Sequence, residues 1–161
     1  MLDNLNKYHI ILASNSPRRR QLLAGLGIPF EVKVLPDIDE DYPPALPVDQ
    51  IAEYIAHAKA EAYRPSMAPA DLIITADTVV IAADEVMGKP ADASDAKRML
   101  RTLSGCTHQV VTGVCLTTAE RQKCFSVTTD VTFKMLADEE IDHYVAVYKP
   151  FDKAGAYGIQ E

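Results

Sequence analysis

Arginines stand in this chain where helix physics disfavours them. In Leu12-Ala13-Ser14-Asn15-Ser16-Pro17-Arg18-Arg19-Arg20-Gln21-Leu22-Leu23, Ser16 suits an N-cap. Pro17 suits the first helical position, whose N–H would be unpaired anyway. Arg18 and Arg19 then fall in the first turn, with Arg20 behind them, at the partially positive end of the helix dipole. By symmetry with the measured effect, each cation there costs about 0.3–1 kcal/mol. A bound anion would offset that cost. Free N–H groups, a serine hydroxyl and guanidinium forks converging after a strand would make a phosphate cradle. The alternative is that the arginines are solvated and point away.

Asp77 interrupts the apolar run from Leu72 to Ala82. An unpaired carboxylate inside such a run costs several kcal/mol, so Asp77 must be paired, protonated, metal-bound or on a cleft wall. Pro36-Asp37-Ile38-Asp39-Glu40-Asp41 crowds four carboxylates into five residues. That loop is either solvated or holds a hard divalent cation, which prefers oxygen ligands. Lys59, on the edge of a helical stripe, and Lys89, between Gly88 and Pro90, are the further candidate cations. Such cations bind a polyphosphate. Carboxylates hold a metal, and one of them can take a proton from an attacking water. The inventory is a kit for metal-assisted hydrolysis of a phosphoanhydride, without saying which one.

The elements that must position these groups follow from periodicity. His9–Ala13 reads as a buried strand. A helix over Pro17–Leu26 should bury Leu22, Leu23 and Leu26 and stop at Gly27. Phe30–Leu35 alternates as a half-buried strand. Val48–Tyr63 is helical, with Ile51, Ile55, Ala58 and Ala62 as its apolar stripe. Leu72–Ala82 reads as a central strand or strand pair, with a turn at Ala83–Glu85. A helix over Ser94–Leu103 buries Ala96, Met99, Leu100 and Leu103. His108–Thr117 and Cys124–Phe133 form a hairpin, with Phe125, Val127, Thr129, Val131 and Phe133 on one face. A helix over Asp138–Tyr148 buries Ile141, Tyr144, Val145 and Tyr148. The segment 152–160 mixes glycines with polar residues, as a ligand-facing loop does.

With 161 residues and 48% apolar content, one domain, or one domain of two lobes, can bury a sizeable core. The sequence shows no membrane-spanning run and no signal peptide. Cys106, Cys115 and Cys124 lack metal or redox spacing and read as buried reduced thiols, which suits the cytosol. A net charge of −7 argues against binding a nucleic acid polymer. A basic pocket in an acidic protein suits a small, multiply charged ligand instead. The glycine fingerprints of phosphate loops and dinucleotide folds are missing. Ser16 has no evident histidine partner, so a serine-hydrolase reading is weak.

Several blocks occur in order: Leu12-Ala13-Ser14 with Ser16-Pro17-Arg18-Arg19, Lys59-Ala60, Ala76-Asp77-Thr78-Val79-Val80, Gly88-Lys89-Pro90, Leu103-Ser104-Gly105 with His108, and Asp152 to Gln160. On these the chain resembles the Maf family of nucleoside triphosphate pyrophosphatases, from about Ile10 to Gln160. The resemblance implies an α/β fold of the Maf/ITPase-like kind: an elongated, curved mixed β-sheet flanked by helices, in two lobes with a central cleft. It implies a single Maf-like domain over 1–161, without the strand and helix, past a Gly-Leu-Pro segment, with which family members continue. The implied reaction splits a nucleoside triphosphate between its α and β phosphates, in the cytoplasm, with Mg²⁺ or Mn²⁺, often as a homodimer. By that similarity Asp77 is the proton acceptor, and Ser14, Ser16, Arg19, Lys59 and Lys89 surround the phosphates. Glu40 joins Asp77 on the metal. Arg18, Thr78 and Gln160 match the specificity positions of the dTTP/UTP subgroup. A carboxamide at Gln160 can meet the donor–acceptor edge of uracil or thymine. The readings held beside this one are the same chemistry with another base preference, and a nucleotide-sensing regulator of septum formation.

Overall fold

The sheet is built around one long strand, β3 (Asp71–Ala82), because its apolar, β-branched run can be buried on both faces. The computed structural model describes residues 2–36 and 38–159. β1 (His9–Leu12) pairs in parallel with β2 (Glu31–Val32) and with β3, running from His9↔Asp71 to Leu12↔Ile74. β4 (Glu85–Met87) returns antiparallel on the far part of β3, from Val80↔Met87 to Ala82↔Glu85. The turn between them holds Ala83 and Asp84 at positive φ, as two-residue hairpins require. β5 (Thr107–Thr117) and β6 (Gln122–Thr132) complete a six-stranded mixed sheet in the order β2-β1-β3-β5-β6, with β4 on β3. Four helices accompany it among the described residues: α1 (Pro17–Ala24), α2 (Ile51–Tyr63), α3 (Ala93–Leu103) and α4 (Asp138–Tyr148).

The chain divides into two compact units. The first comprises residues up to Leu46, Gln50–Asp77 and Gly113–Ser126, and the second Pro47–Asp49, Thr78–Thr112 and Val127 onward. In the first, α2 lies unusually close to the sheet. Ala52, Ala56 and Ala60 are fully buried at four-residue spacing, and Thr75 Oγ1 donates to the Ala56 carbonyl at 2.7 Å. A Cβ on Gly113 of β5 would sit 2.3 Å from the Ala52 and Glu53 backbone. Only glycine leaves room for that approach. In the second unit, Val80, Met87, Ala96, Met99, Leu100, Leu103, Ile141 and Val145 form the core. There Gly155, at φ +70°, packs against Val80.

The strand expected over 72–82 and the helices expected over 94–103 and 138–148 match to within one residue at each end, and all four residues expected to be buried on α3 are buried. Several expectations need correction. α1 ends at Ala24, short of the expected Leu26, and none of Leu22, Leu23 and Leu26 is buried, Leu22 and Leu26 being 74% and 58% exposed; polar bonds at its N-terminal end, not an apolar face, hold it. β2 is two residues long. Of the stripe expected on α2, Ile51 and Ile55 are buried, Ala58 is half-buried and Ala62 is exposed, and Ala52, Ala56, Ala60 and Tyr63 complete the buried face. Phe125 and Val127 on β6, and Tyr148 on α4, are substantially exposed. The cysteines are not three buried thiols. Cys115 and Cys124 face each other across the hairpin, Cα–Cα 4.1 Å, and are joined in a disulfide, whereas Cys106 is free and exposed.

Two outcomes follow from this packing. Gly113→Ala should lower stability by about 1–3 kcal/mol, the usual cost of overpacking, as read by urea denaturation. The second concerns His9, whose Nδ1 lies 2.9 Å from Asp71 Oδ1 and whose Nε2 lies 3.0 Å from Glu31 Oε2. The hydrogen bond to Asp71, with the attraction of Asp71 and Glu31, raises its pKa against a smaller loss from burial. A raised histidine contributes its full stabilisation below the unfolded value of about 6.5. That contribution disappears as pH climbs through the raised folded value. Urea midpoints should therefore fall over that window, and more shallowly in His9→Gln; an unchanged slope would remove His9 from the effect.

Candidate functional site

The close seating of α2 delivers Lys59 to β3. Thr75 and Asp77 are two residues apart on the strand and so share a face; Thr75 bonds the α2 backbone, and Asp77 meets an α2 side chain. Lys59 Nζ lies 2.9 Å from Asp77 Oδ1 and 2.8 Å from Glu40 Oε1. Lys59 and Asp77 are largely buried, with side-chain exposures of 13% and 15%, while Glu40 is about half exposed at 53%. Burial pushes the Asp77 carboxyl above the usual aspartate range, an effect that the adjacent ammonium opposes and Glu40 reinforces.

A second cation reaches the same stretch of β3 from α1. Ser16 is the N-cap, its Oγ accepting from Arg19 N at 3.4 Å, and Pro17 occupies the first turn. Arg19 turns inward. Its Nη1 donates to the Ala76 carbonyl at 2.8 Å and to Ser14 Oγ at 3.4 Å. The last residue of β3 paired with β1 is Ile74, so Ala76 lies just beyond that ladder, where its carbonyl is open to a side-chain donor. Burial lowers the Arg19 pKa, with Asp77 and Glu40 acting the other way. Ser14 Oγ also accepts from Ser16 N at 3.2 Å, which fixes the strand-to-helix turn.

The first unit thus brings Ser14, Ser16, Arg19, Glu40, Lys59 and Asp77 into one connected group. Of the three arginines expected to act together, only Arg19 joins it by hydrogen bonds. Arg20 is exposed and reaches Asn15 at 3.4 Å, and Arg18 is half-buried. Thr78 and Lys89 belong to the second unit. Thr78 Oγ1 shares a hydrogen bond with Thr112 Oγ1 at 3.1 Å. Lys89 is exposed and follows Gly88, whose carbonyl accepts from Gly155 N at 3.1 Å. Gln160 lies outside the described residues. Two participants escaped the sequence reading. The Ala76 carbonyl carries no side-chain signal, and Thr112 emerges only from strand pairing.

Among the described residues no cluster of three or more His, Cys, Asp and Glu side chains could hold a metal ion. Two carboxylates, Glu40 and Asp77, do converge on the Lys59 ammonium. That donor set fits Mg²⁺ or Mn²⁺ of the kind held by one or two carboxylates and completed by substrate phosphate oxygens and water. Beside the acidic loop, a cavity of about 540 Å³ is lined by Leu35, Ile38, Asp39, Asp41, Tyr54 and Ala58, among others.

Comparison with known proteins gives a consistent result. The family described as Maf-like protein matches residues 9–161. A protein of Phocaeicola vulgatus named dTTP/UTP pyrophosphatase is 63% identical over 161 residues, covering 100% of this chain and 83% of that protein. Proteins of the same name from Bacteroides thetaiotaomicron and Flavobacterium johnsoniae are 57% and 44% identical. They cover 100% and 99% of this chain, and 83% and 81% of their own lengths. In structure the chain is similar to the Staphylococcus aureus Ham1 protein, with a TM-score of 0.56, 16% identity, and coverage of 81% and 72% of the two chains. At that identity the likeness speaks to the fold alone.

The expectation of an anion site centred on Arg19 has a direct consequence. Inorganic tripolyphosphate should raise the melting temperature of the wild-type chain, because it binds the folded state. Arg19→Met should lose most of that shift in a thermal melt followed by circular dichroism. An undiminished shift would locate the anion elsewhere.

Proposed function

The chain belongs to the Maf-like family, and from that membership we propose that it is a nucleoside triphosphate pyrophosphatase acting on dTTP and UTP. The substrate reading is supported by the shared name of relatives 44–63% identical over essentially the whole chain. The observation that carries the chemistry is the Lys59 ammonium bridging Asp77 and Glu40 beside the Arg19–Ala76 contact.

Water attacks the triphosphate, a new P–O bond forms, and the anhydride bond between the α and β phosphates breaks. Monophosphate and pyrophosphate leave. Asp77, as carboxylate, accepts the proton of that water. Lys59 and Arg19 offset the negative charge that gathers on phosphoryl oxygens, in a half-buried setting where such charges count for more than in water. Ser14 and Ser16 fix the turn that aims Arg19. A divalent cation held by Glu40 and Asp77 supplies further charge neutralisation when bound. The resemblance adds Lys89 as a phosphate ligand, and Arg18, Thr78 and Gln160 as the residues that read the base. A site that hydrogen-bonds one base edge rejects another because its own polar groups are left unpaired. The same reading makes the protein a cytoplasmic enzyme, where free nucleotides are found, and a homodimer. A pure nucleotide sensor would need the cations but not the largely buried acid among them.

The test is a panel of nucleoside triphosphates with Mg²⁺, assayed separately for pyrophosphate and orthophosphate. UTP and dTTP should give pyrophosphate and the monophosphate. Asp77→Asn should lower turnover by roughly 10²–10⁴-fold while leaving nucleotide affinity, measured by calorimetry, within about tenfold. Orthophosphate as the product, or full turnover by Asp77→Asn, would refute the assignment.

A further inference from the structure

One ammonium stands between two carboxylates that are also the protein's donors for a divalent ion. Lys59 Nζ is 2.8 Å from Glu40 Oε1 and 2.9 Å from Asp77 Oδ1. Mg²⁺ takes oxygen ligands at about 2.0–2.1 Å and demands near-ideal octahedral geometry. A cation and an ammonium cannot both sit against the same two oxygens. They would exclude one another by volume and by charge. Among the described residues Arg19, anchored on the Ala76 carbonyl, also acts on Asp77, so two positive side chains already face the two carboxylates without a metal.

We infer that Lys59 is a placeholder: its ammonium occupies the divalent-ion position between Asp77 and Glu40 and yields it only when a polyphosphate offers a competing set of anionic oxygens. The inference rests on the pyrophosphatase reading and concerns the regulation of that same site. The structure supplies the means. Lys59 carries its charge on a flexible four-carbon stem, whereas its root on α2 is fixed by the alanine stripe, Thr75 and Gly113. The ammonium can therefore swing while the helix stays. Glu40 is exposed and needs little rearrangement to change partner. Linkage makes the effect reciprocal: if the polyphosphate draws Lys59 away and opens the ion position, the ion in turn tightens the polyphosphate. Such a site stays unloaded by free Mg²⁺ and assembles with the metal–nucleotide complex.

Binding of Mn²⁺ alone to the full chain, without nucleotide, tests this by electron paramagnetic resonance of the free ion. Wild type and Lys59→Arg, which keeps a cation in place, should bind weakly. Lys59→Met should bind about tenfold tighter or more, and Lys59→Met/Asp77→Asn should return to weak binding. A thermal melt gives a second readout: Mn²⁺ should raise the melting temperature of Lys59→Met more than that of wild type. If Lys59→Met folds only when Mn²⁺ is added, that is the same result in stronger form. The inference is overturned if Lys59→Met binds Mn²⁺ no tighter than wild type, if Lys59→Arg binds as tightly as Lys59→Met, or if Lys59→Met stays unfolded with Mn²⁺. Pyrophosphate release from UTP by the wild type separates the two levels. Turnover with a flat Mn²⁺ series removes only the placeholder, while a positive series without turnover removes the enzymatic reading.

Discussion

The site depends on the distance between one helix and the strand beneath it. Lys59 reaches Asp77 only because α2 lies close to the sheet, and that seating is set by residues with almost no side chain: Ala52, Ala56 and Ala60 on the helix, and Gly113 on β5. Thr75 ties the helix backbone directly to the strand. Small residues here are what brings two charges into contact in a half-dry setting. An ion pair in that setting is not a simple source of stability. Desolvation opposes the attraction, which is why Asp77 titrates above the ordinary aspartate range even with an ammonium at 2.9 Å. Its partner is indispensable for a different reason: either charge left alone would be costly.

The second anchor offsets a local penalty with a distant contact. Arginine in the first turn opposes the helix dipole, and Arg19 is further desolvated. In exchange its guanidinium meets a backbone carbonyl one residue from Asp77. This is available because β1 ceases to pair with β3 after Ile74. Strand length, helix capping and cation placement are thus one arrangement. β1 ends, the chain turns at Ser14 and Ser16, and the first helical turn supplies the donor for the carbonyl beyond the ladder.

Much of this was legible in residue types. The apolar run around Asp77 announced both a strand and a misplaced acid, and Ser16-Pro17 announced a helix start. The faces of α3 followed from strong 3.6-residue periodicity. What stayed hidden was whatever depends on partners far apart in sequence. Ile51 and Ile55 marked the buried side of α2, but the alanines that seat it are too weakly apolar to stand out, and the meaning of Gly113 appears only once β5 lies under that helix. The leucines of α1 looked like a core face, yet the helix is held by its polar end. Cys115 and Cys124 looked unrelated until the hairpin set them opposite one another. In the site, the apolar setting of Asp77 pointed to a paired or cleft-lining acid, whereas Lys59 as its partner, Glu40 closing on the same ammonium, and the Ala76 carbonyl receiving Arg19 are products of topology.

The central claim is that Lys59 and Asp77 form one energetic unit. A double-mutant cycle on unfolding free energy, using Lys59→Met, Asp77→Asn and the pair, measures it directly. A coupling of about 1 kcal/mol or more, with the double variant less destabilised than the sum of the singles, is the expected result. Additivity within about 0.3–0.5 kcal/mol would mean that the two groups do not act on each other, and would contradict the account.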